Sequence, residues 1–383
     1  MKTKELEPSE KSCWIVGGDF HLLKKPGMWS GRAEIAGDDI YAMKQLADIA
    51  REYEADVILL GDTLDAVTNL PRPVVVLQSL LGPLIAEGHK VRYIQGQHEI
   101  VVQAHYENYP WLSVCKGTEH MHGCTFDFLG KRAFALDYFP QAFEALNLAC
   151  IPSDTEVLFL HGTAEEVFEM SHHFSIENIP DHVRLILAGD YHEPIDHTTE
   201  SGQRIVYTGS AWMRSASEPM DKYVLKVTEK AGELSIERIP LKTRPILRYS
   251  VLTDAQKHGD ITLDESLPEP LQKPVVIVDV PIDAEEYTLL AQSYHAHTLG
   301  SVVSGNTLEY INIGDDNDSD EQILERYVDR VAYSSEFEFT LDLMQNSTDD
   351  ALQRLREKLG IETKDVVVAP VGATADEGEV NLT

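Results

Sequence analysis

The chain has 383 residues, 43% of them hydrophobic, with 64 acidic against 32 basic side chains and a formal charge of -32. Such a chain can bury a large core and is long enough for two domains, while the acidic excess argues against autonomous, tight binding to a phosphate backbone. No apolar run is long enough to span a membrane, residues 1–11 are charged rather than signal-like, and the four cysteines include no Cys-x-x-Cys pair; a soluble, cytoplasmic protein without a disulfide framework is expected.

In chain order, apolar runs at 13–16, 57–60, 91–94, 157–160 and 183–188 read as buried strands. A helix is expected over 39–53, where Asp38 caps the free amides and Ile40, Met43, Ala47 and Ala50 repeat at helical spacing. A second is expected over 73–87, stopped by Gly88. Strand and helix alternate, which points to a layered α/β domain. Tyr106, Tyr109, Trp111, Tyr138 and Phe139 read as core packing, with a base-stacking groove for single-stranded nucleic acid as the alternative. Residues 195–199 with 204–207, and 223–227 with 234–239, read as hairpins.

Beyond Pro245 the stretch to Pro274 reads as a connector. A strand over 275–280, a helix over 284–294 and two strands over 301–303 and 308–313 follow. Ser319 and Gln322 then form a capping box ahead of the stripe Ile323, Leu324, Tyr327, Val328 and Val331. The aspartates of 314–321 lack the glycine and terminal glutamate of a calcium loop. Thr348 caps a last helix with Leu352, Leu355 and Leu359 on one stripe, and 373–383 reads as disordered. The expected domains are 1–244, a smaller α+β domain at 245–345, and a C-terminal helix with an acidic tail at 346–383.

Each of the five strands runs into a polar cluster. In order these hold Asp19 and His21, then Asp62 and Asp65, then Gln97, His98 and Glu99, then His161, and last Asp190 and His192, each cluster with a glycine beside it. Sites in open α/β sheets form beyond the carboxyl ends of the strands, so the five clusters should meet in one crevice. Carboxylates packed together repel and resist desolvation, and divalent cations reverse both effects. Two ions are the simplest explanation. Carboxylate oxygen mixed with imidazole nitrogen and no thiolate favours manganese, iron or zinc over calcium or a thiolate-bound zinc. A second constellation, Cys115, His120, His122 and Cys124, has zinc-type ligands, but its cysteines are not closely paired and the last three alternate as on one face of a strand, so free thiols and a hairpin are expected. Lys24, Lys25, Arg32, Lys131, Arg132 and Arg214 read either as a limited basic rim or as ordinary solvated surface.

The order Asp-x-His, Gly-Asp-x-x-Asp, Gly-Gln-His-Glu, His-Gly and Gly-Asp-x-His over residues 13–210 resembles the calcineurin-like metallophosphoesterases. Within them the spacing from Gly31 through Asp38 and Asp39 to Asp65 is most similar to the SbcD-type DNA double-strand-break repair nucleases. Gln97 and Glu99 stand where that family has Asn and Asp, and Asp190 stands where it has the first His of Gly-His-x-His. Gln97 and Asp190 remain competent ligands for a hard divalent ion.

The resemblance implies an α-β-β-α sandwich with a smaller α+β capping domain. It implies two divalent ions, with manganese expected and magnesium, iron or zinc as alternatives. One ion would be held by Asp19, His21 and His192, the other by Gln97, His161 and Asp190, with Asp62 bridging. His98 would serve the leaving oxygen or the transition-state phosphate, and Glu99 would orient its ring. The implied activity is that of a DNA exonuclease or endonuclease subunit working as a homodimer with a coiled-coil ATPase of the SbcC type. Two alternatives stay open: a phosphatase or phosphodiesterase on another substrate, which the acidic charge favours, and a scaffold that has lost catalysis.

Overall fold

The computed structural model describes residues 4–22, 37–65, 71–100, 115–214, 218–298 and 303–304. The elements expected at 308–313, around Ser319 and after Thr348 lie outside them, as do Lys24, Lys25, Arg32, Tyr106, Tyr109 and Trp111.

Strands β1 (Lys4–Glu5), β2 (Cys13–Gly17), β3 (Asp56–Leu60), β4 (Val91–Ile94) and β5 (Thr118–His120) open the chain, with α1 (Asp38–Glu52) and α2 (Pro71–Ala86) between them. Next come β6 (Cys124–Phe128), β7 (Lys131–Leu136), the short α3 (Glu144–Leu148), β8 (Val157–His161), β9 (Leu185–Gly189), β10 (Ile195–Thr198), β11 (Arg204–Tyr207), β12 (Lys222–Lys230) and β13 (Glu233–Leu241). They form two sheets, one in the order β13-β12-β2-β3-β4-β5 and the other β1-β6-β7-β8-β9-β11-β10. β2, β3 and β4 pair in parallel, as do β7, β8 and β9.

Parallel strands covered on both faces need apolar side chains on both, which is why these strands read as unbroken hydrophobic runs. On one face Ile15, Val57, Leu59 and Val91 meet Met43, Leu46 and Ala50 of α1 and Leu77, Leu81 and Leu84 of α2. On the other, Trp14, Val16, Ile58 and Leu60 pack against Phe126, Phe159 and Leu187 of the second sheet. The outer face of that sheet is covered by Leu148 of α3 together with Phe174 and Ile176. The fold is α/β, in layers of helix, sheet, sheet and helix.

Three local expectations change. Asp38 is the first residue of α1 rather than its cap, because its carboxylate is taken by Arg244, 3.0 Å away. His120 and Cys124 do not share a strand, since the chain turns at Gly123 between β5 and β6. The supposed connector contains β14 (Ile246–Arg248), which pairs in parallel with β15 (Val275–Val278), itself paired in parallel with β16 (His295–Thr298). Helix α4 (Ala284–Ser293) packs Leu290 with Val276, Val278 and Tyr294, and Asp283 caps it by accepting from Glu286 N–H at 2.8 Å. Arg244, buried, joins this part to α1 by also donating to the Lys273 carbonyl at 3.0 Å. No described helix is long and apolar enough to cross a membrane.

Candidate metal centre

The carboxyl ends of β2, β3, β8 and β9 converge, and the turns leaving them carry the expected ligands. Asp19, His21, Asp62 and Asp190 all take positive φ, at 53°, 42°, 46° and 91°. Left-handed backbone at four non-glycine residues is strained, and such strain persists where the surroundings over-determine it and gathers at functional sites. Close packing holds it here: a Cβ on Gly96 would run into the Asp62 carboxylate, and one on Gly189 into the Leu60 carbonyl.

Each carboxylate has one oxygen anchored and one facing its neighbours. Asp62 Oδ1 accepts His98 N–H at 2.9 Å, while Oδ2 lies 3.6 Å from the Nε2 atoms of both His21 and His161 and 3.8 Å from that of His98. Asp19 Oδ2 accepts Asp190 N–H at 3.1 Å, while Oδ1 lies 3.5 Å from His192 Nε2 and 3.8 Å from His21 Nε2. The His161 ring is fixed from behind, with Nδ1–H donating to the Leu60 carbonyl at 2.6 Å. Asp19 Oδ1, Asp62 Oδ2 and His161 Nε2 are left buried without hydrogen-bond partners. Burial would raise Asp19, but the imidazoles of His192 and His21 hold it well below the usual carboxylate range. Burial disfavours charge on His161 too, yet Asp62 beside it raises it well above the ordinary imidazole value.

Among the described residues three overlapping groups of ligand atoms result: Asp19, His21 and His192; Asp19, Asp62 and His161; and His21, Asp62 and His98. Anchored first ligands with orphaned, inward lone pairs are what divalent cations need, and the donor set suits two of them. Asp62 stands at the middle of the cluster. Asp190 Oδ1 is 3.9 Å from His161 Nε2, and its other oxygen is held by the Thr163 hydroxyl and by His173 at 3.2 Å. Gln97 lies half-buried on the turn after β4.

His98 Nδ1–H donates to the Asp65 carbonyl, 2.7 Å away. Its expected orienter, Glu99, is buried and occupied elsewhere: its carboxylate accepts Leu64 N–H at 3.0 Å and Gly96 N–H at 2.9 Å. Burial and the nearby Asp62 push Glu99 up to about 8 against the pull of those two donors. Glu99 therefore ties the turn after β4 to the turn after β3, and the Asp65 carbonyl takes the orienting part.

Several site residues carried no strong sequence signal. Glu218 accepts from His192 Nδ1 at 2.9 Å, from Ser210 Oγ at 2.8 Å and from the buried Lys222 at 3.1 Å. Burial opposes its charge, but His192 and Lys222 lower its carboxyl to about 2. Arg214, expected on a rim, is buried with one guanidinium nitrogen directed at the Nε2 atoms of both His21 and His192, the latter at 3.0 Å. Burial disfavours charge on His192, whereas Asp19 and Glu218 raise it to about 9. An arginine only donates, so the Arg214 contact decides for the neutral, Nδ1-protonated ring. Lys131 and Arg132 are likewise not an open rim, being paired with Glu156 at 3.3 Å and with Glu5 and Asp154.

The second constellation does not gather. Among the described residues His120 and His122 both face Asp137, at 2.9 and 3.8 Å, and Cys124 Sγ points to the carbonyls of those two histidines. No candidate metal-holding group among the described residues includes them.

No family model matches the chain, and no curated protein matches it. Among solved structures it is similar to a dimetal phosphatase from Danio rerio, at 9% identity over 60% of this chain and 98% of that one, with a TM-score of 0.36. It is also similar to a predicted phosphoesterase from Streptococcus pneumoniae, at 10% identity over 61% and 91% of the two chains, with a TM-score of 0.30. Likenesses this distant carry no weight for activity, which has to be argued from the side chains.

Proposed function

We propose that this chain is a dinuclear-metal phosphoesterase. One observation carries the reading: Asp62 Oδ2, buried and without a hydrogen bond, stands 3.6 to 3.8 Å from three imidazole nitrogens and is shared by two of the three ligand groups. Two cations held there by Asp19, His21, Asp62, Gln97, His161, Asp190 and His192 would supply an activated water and neutralise charge on the phosphorus. The protein's own part is positional. Left-handed turns aim the carboxylates, and the Leu60 and Asp65 carbonyls and Glu218 fix the imidazoles. His98, a third exposed and beside Asp62, is placed to hand a proton to the leaving oxygen.

The finer reading is a DNA exonuclease or endonuclease that acts as a homodimer with a coiled-coil ATPase, supported by the SbcD-like spacing from Gly31 to Asp65. The acidic surface and the internal pairing of Lys131 and Arg132 favour a second reading, hydrolysis of a smaller phosphoester. Purified protein with manganese should be given end-labelled DNA and a chromogenic phosphodiester, with and without the ATPase. Degradation of the DNA, strengthened by the ATPase, is the expected result. Turnover of the small ester alone would replace the nuclease reading by the second one.

A further inference from the structure

Arg214 brings a second cation to the centre. One of its guanidinium nitrogens is directed at His21 Nε2 and lies 3.0 Å from His192 Nε2, and the other terminal nitrogen is 3.7 Å from Asp65 Oδ1. A guanidinium has donors and no acceptor, so both imidazole nitrogens must offer it lone pairs. The back of His192 agrees, since its Nδ1–H donates to Glu218 Oε1 at 2.9 Å; His21 Nδ1 lies 3.3 Å from Asp65 Oδ1 in a contact that is not a hydrogen bond, so its Nδ1 proton follows from the Arg214 contact. Each Nε2 has a single lone pair. The lone pairs that would bind an ion beside Asp19 are therefore the ones that Arg214 uses, and the two occupants exclude each other.

We propose that Arg214 is an internal competitor for the ion position formed by Asp19, His21 and His192, so that this position loads only when the guanidinium withdraws, while the Asp62 and His161 position loads independently of it. This rests on the dinuclear reading above. The energetic sense is clear, because a fixed positive charge keeps the imidazoles in their ligating tautomer and offsets buried carboxylates. The consequence is unequal affinity. The ion that Arg214 opposes is the weaker one, and its loading responds to divalent cation concentration.

The test is calorimetric titration of manganese into chelator-treated full-length protein, wild type against Arg214→Met. One of the two binding events should tighten by about tenfold to a hundredfold, as expected for losing hydrogen bonds from a charged group, while the other changes little. Two events that tighten together would show a general charge effect and overturn the proposal, as would two that stay unchanged. Binding of no manganese by either protein would overturn the dinuclear reading along with it. A measurement on the wild type covers the case in which the variant does not fold. Modification of Arg214 by phenylglyoxal, followed by peptide mass spectrometry, should speed up on adding manganese, and an unchanged or slower rate would contradict the exclusion.

Discussion

His98 and Glu218 flank the same metal centre and have separable jobs. The His98 ring comes no nearer to Asp62 than 3.8 Å and is the most exposed of the clustered imidazoles, so His98→Ala should leave both ions bound while turnover falls by about a hundredfold to ten-thousandfold, the usual contribution of a general acid. Loss of an ion in that variant, seen by elemental analysis, would make His98 a ligand instead, as its place beside His21 and Asp62 also permits. Glu218 works behind His192. Its carboxyl is depressed from 4.5 to about 2 in the folded chain, so its stabilising contribution is present above pH 4.5 and is lost as the pH falls through 2. That contribution is on the order of 3 kcal/mol. Acid unfolding of chelated wild type and Glu218→Gln should show a stability gap above pH 4.5 that closes towards pH 2, and a gap independent of pH would contradict the charge-based account.

At the scale of elements, the turns after β2, β3, β4 and β9 are interlocked rather than independent. Gly96 approaches the Asp62 carboxylate so closely that a methyl group cannot fit. Gly96→Ala should lower manganese affinity by about tenfold to a hundredfold, the range for disturbing a ligand's support, with a stability loss of only about 1 to 3 kcal/mol. A manganese titration that matches wild type would show the turn to be freely adjustable. These strands and their terminal clusters were legible in the sequence because buried parallel strands are apolar throughout and end abruptly in glycine and ligand. Partners that depend on distant chain were not legible. Asp38 looks like a cap until Arg244, 206 residues away, claims it, and Glu99 looks like a neighbour of His98 until its carboxylate is found under Leu64. Arg214 and Glu218 sit in a stretch with no periodicity, and the three-residue β14 is too short to announce itself without β15.

Across the whole molecule, charge opposes tight nucleic-acid binding by the chain alone. The formal charge of -32 is distributed over a surface on which Lys131 and Arg132 are already paired with acidic neighbours. Isolated protein should bind duplex DNA weakly and with steep salt dependence, as measured by anisotropy across a salt series. Tight binding at physiological salt without a partner would contradict this. If Asp62 holds both ions of a phosphoester-hydrolysing pair, elemental analysis of wild type and Asp62→Asn alongside hydrolysis of a chromogenic phosphodiester in manganese should find two ions per chain and turnover in the wild type, with occupancy reduced at both positions and most activity gone in the variant. Two retained ions with turnover close to that of the wild type in Asp62→Asn would contradict it.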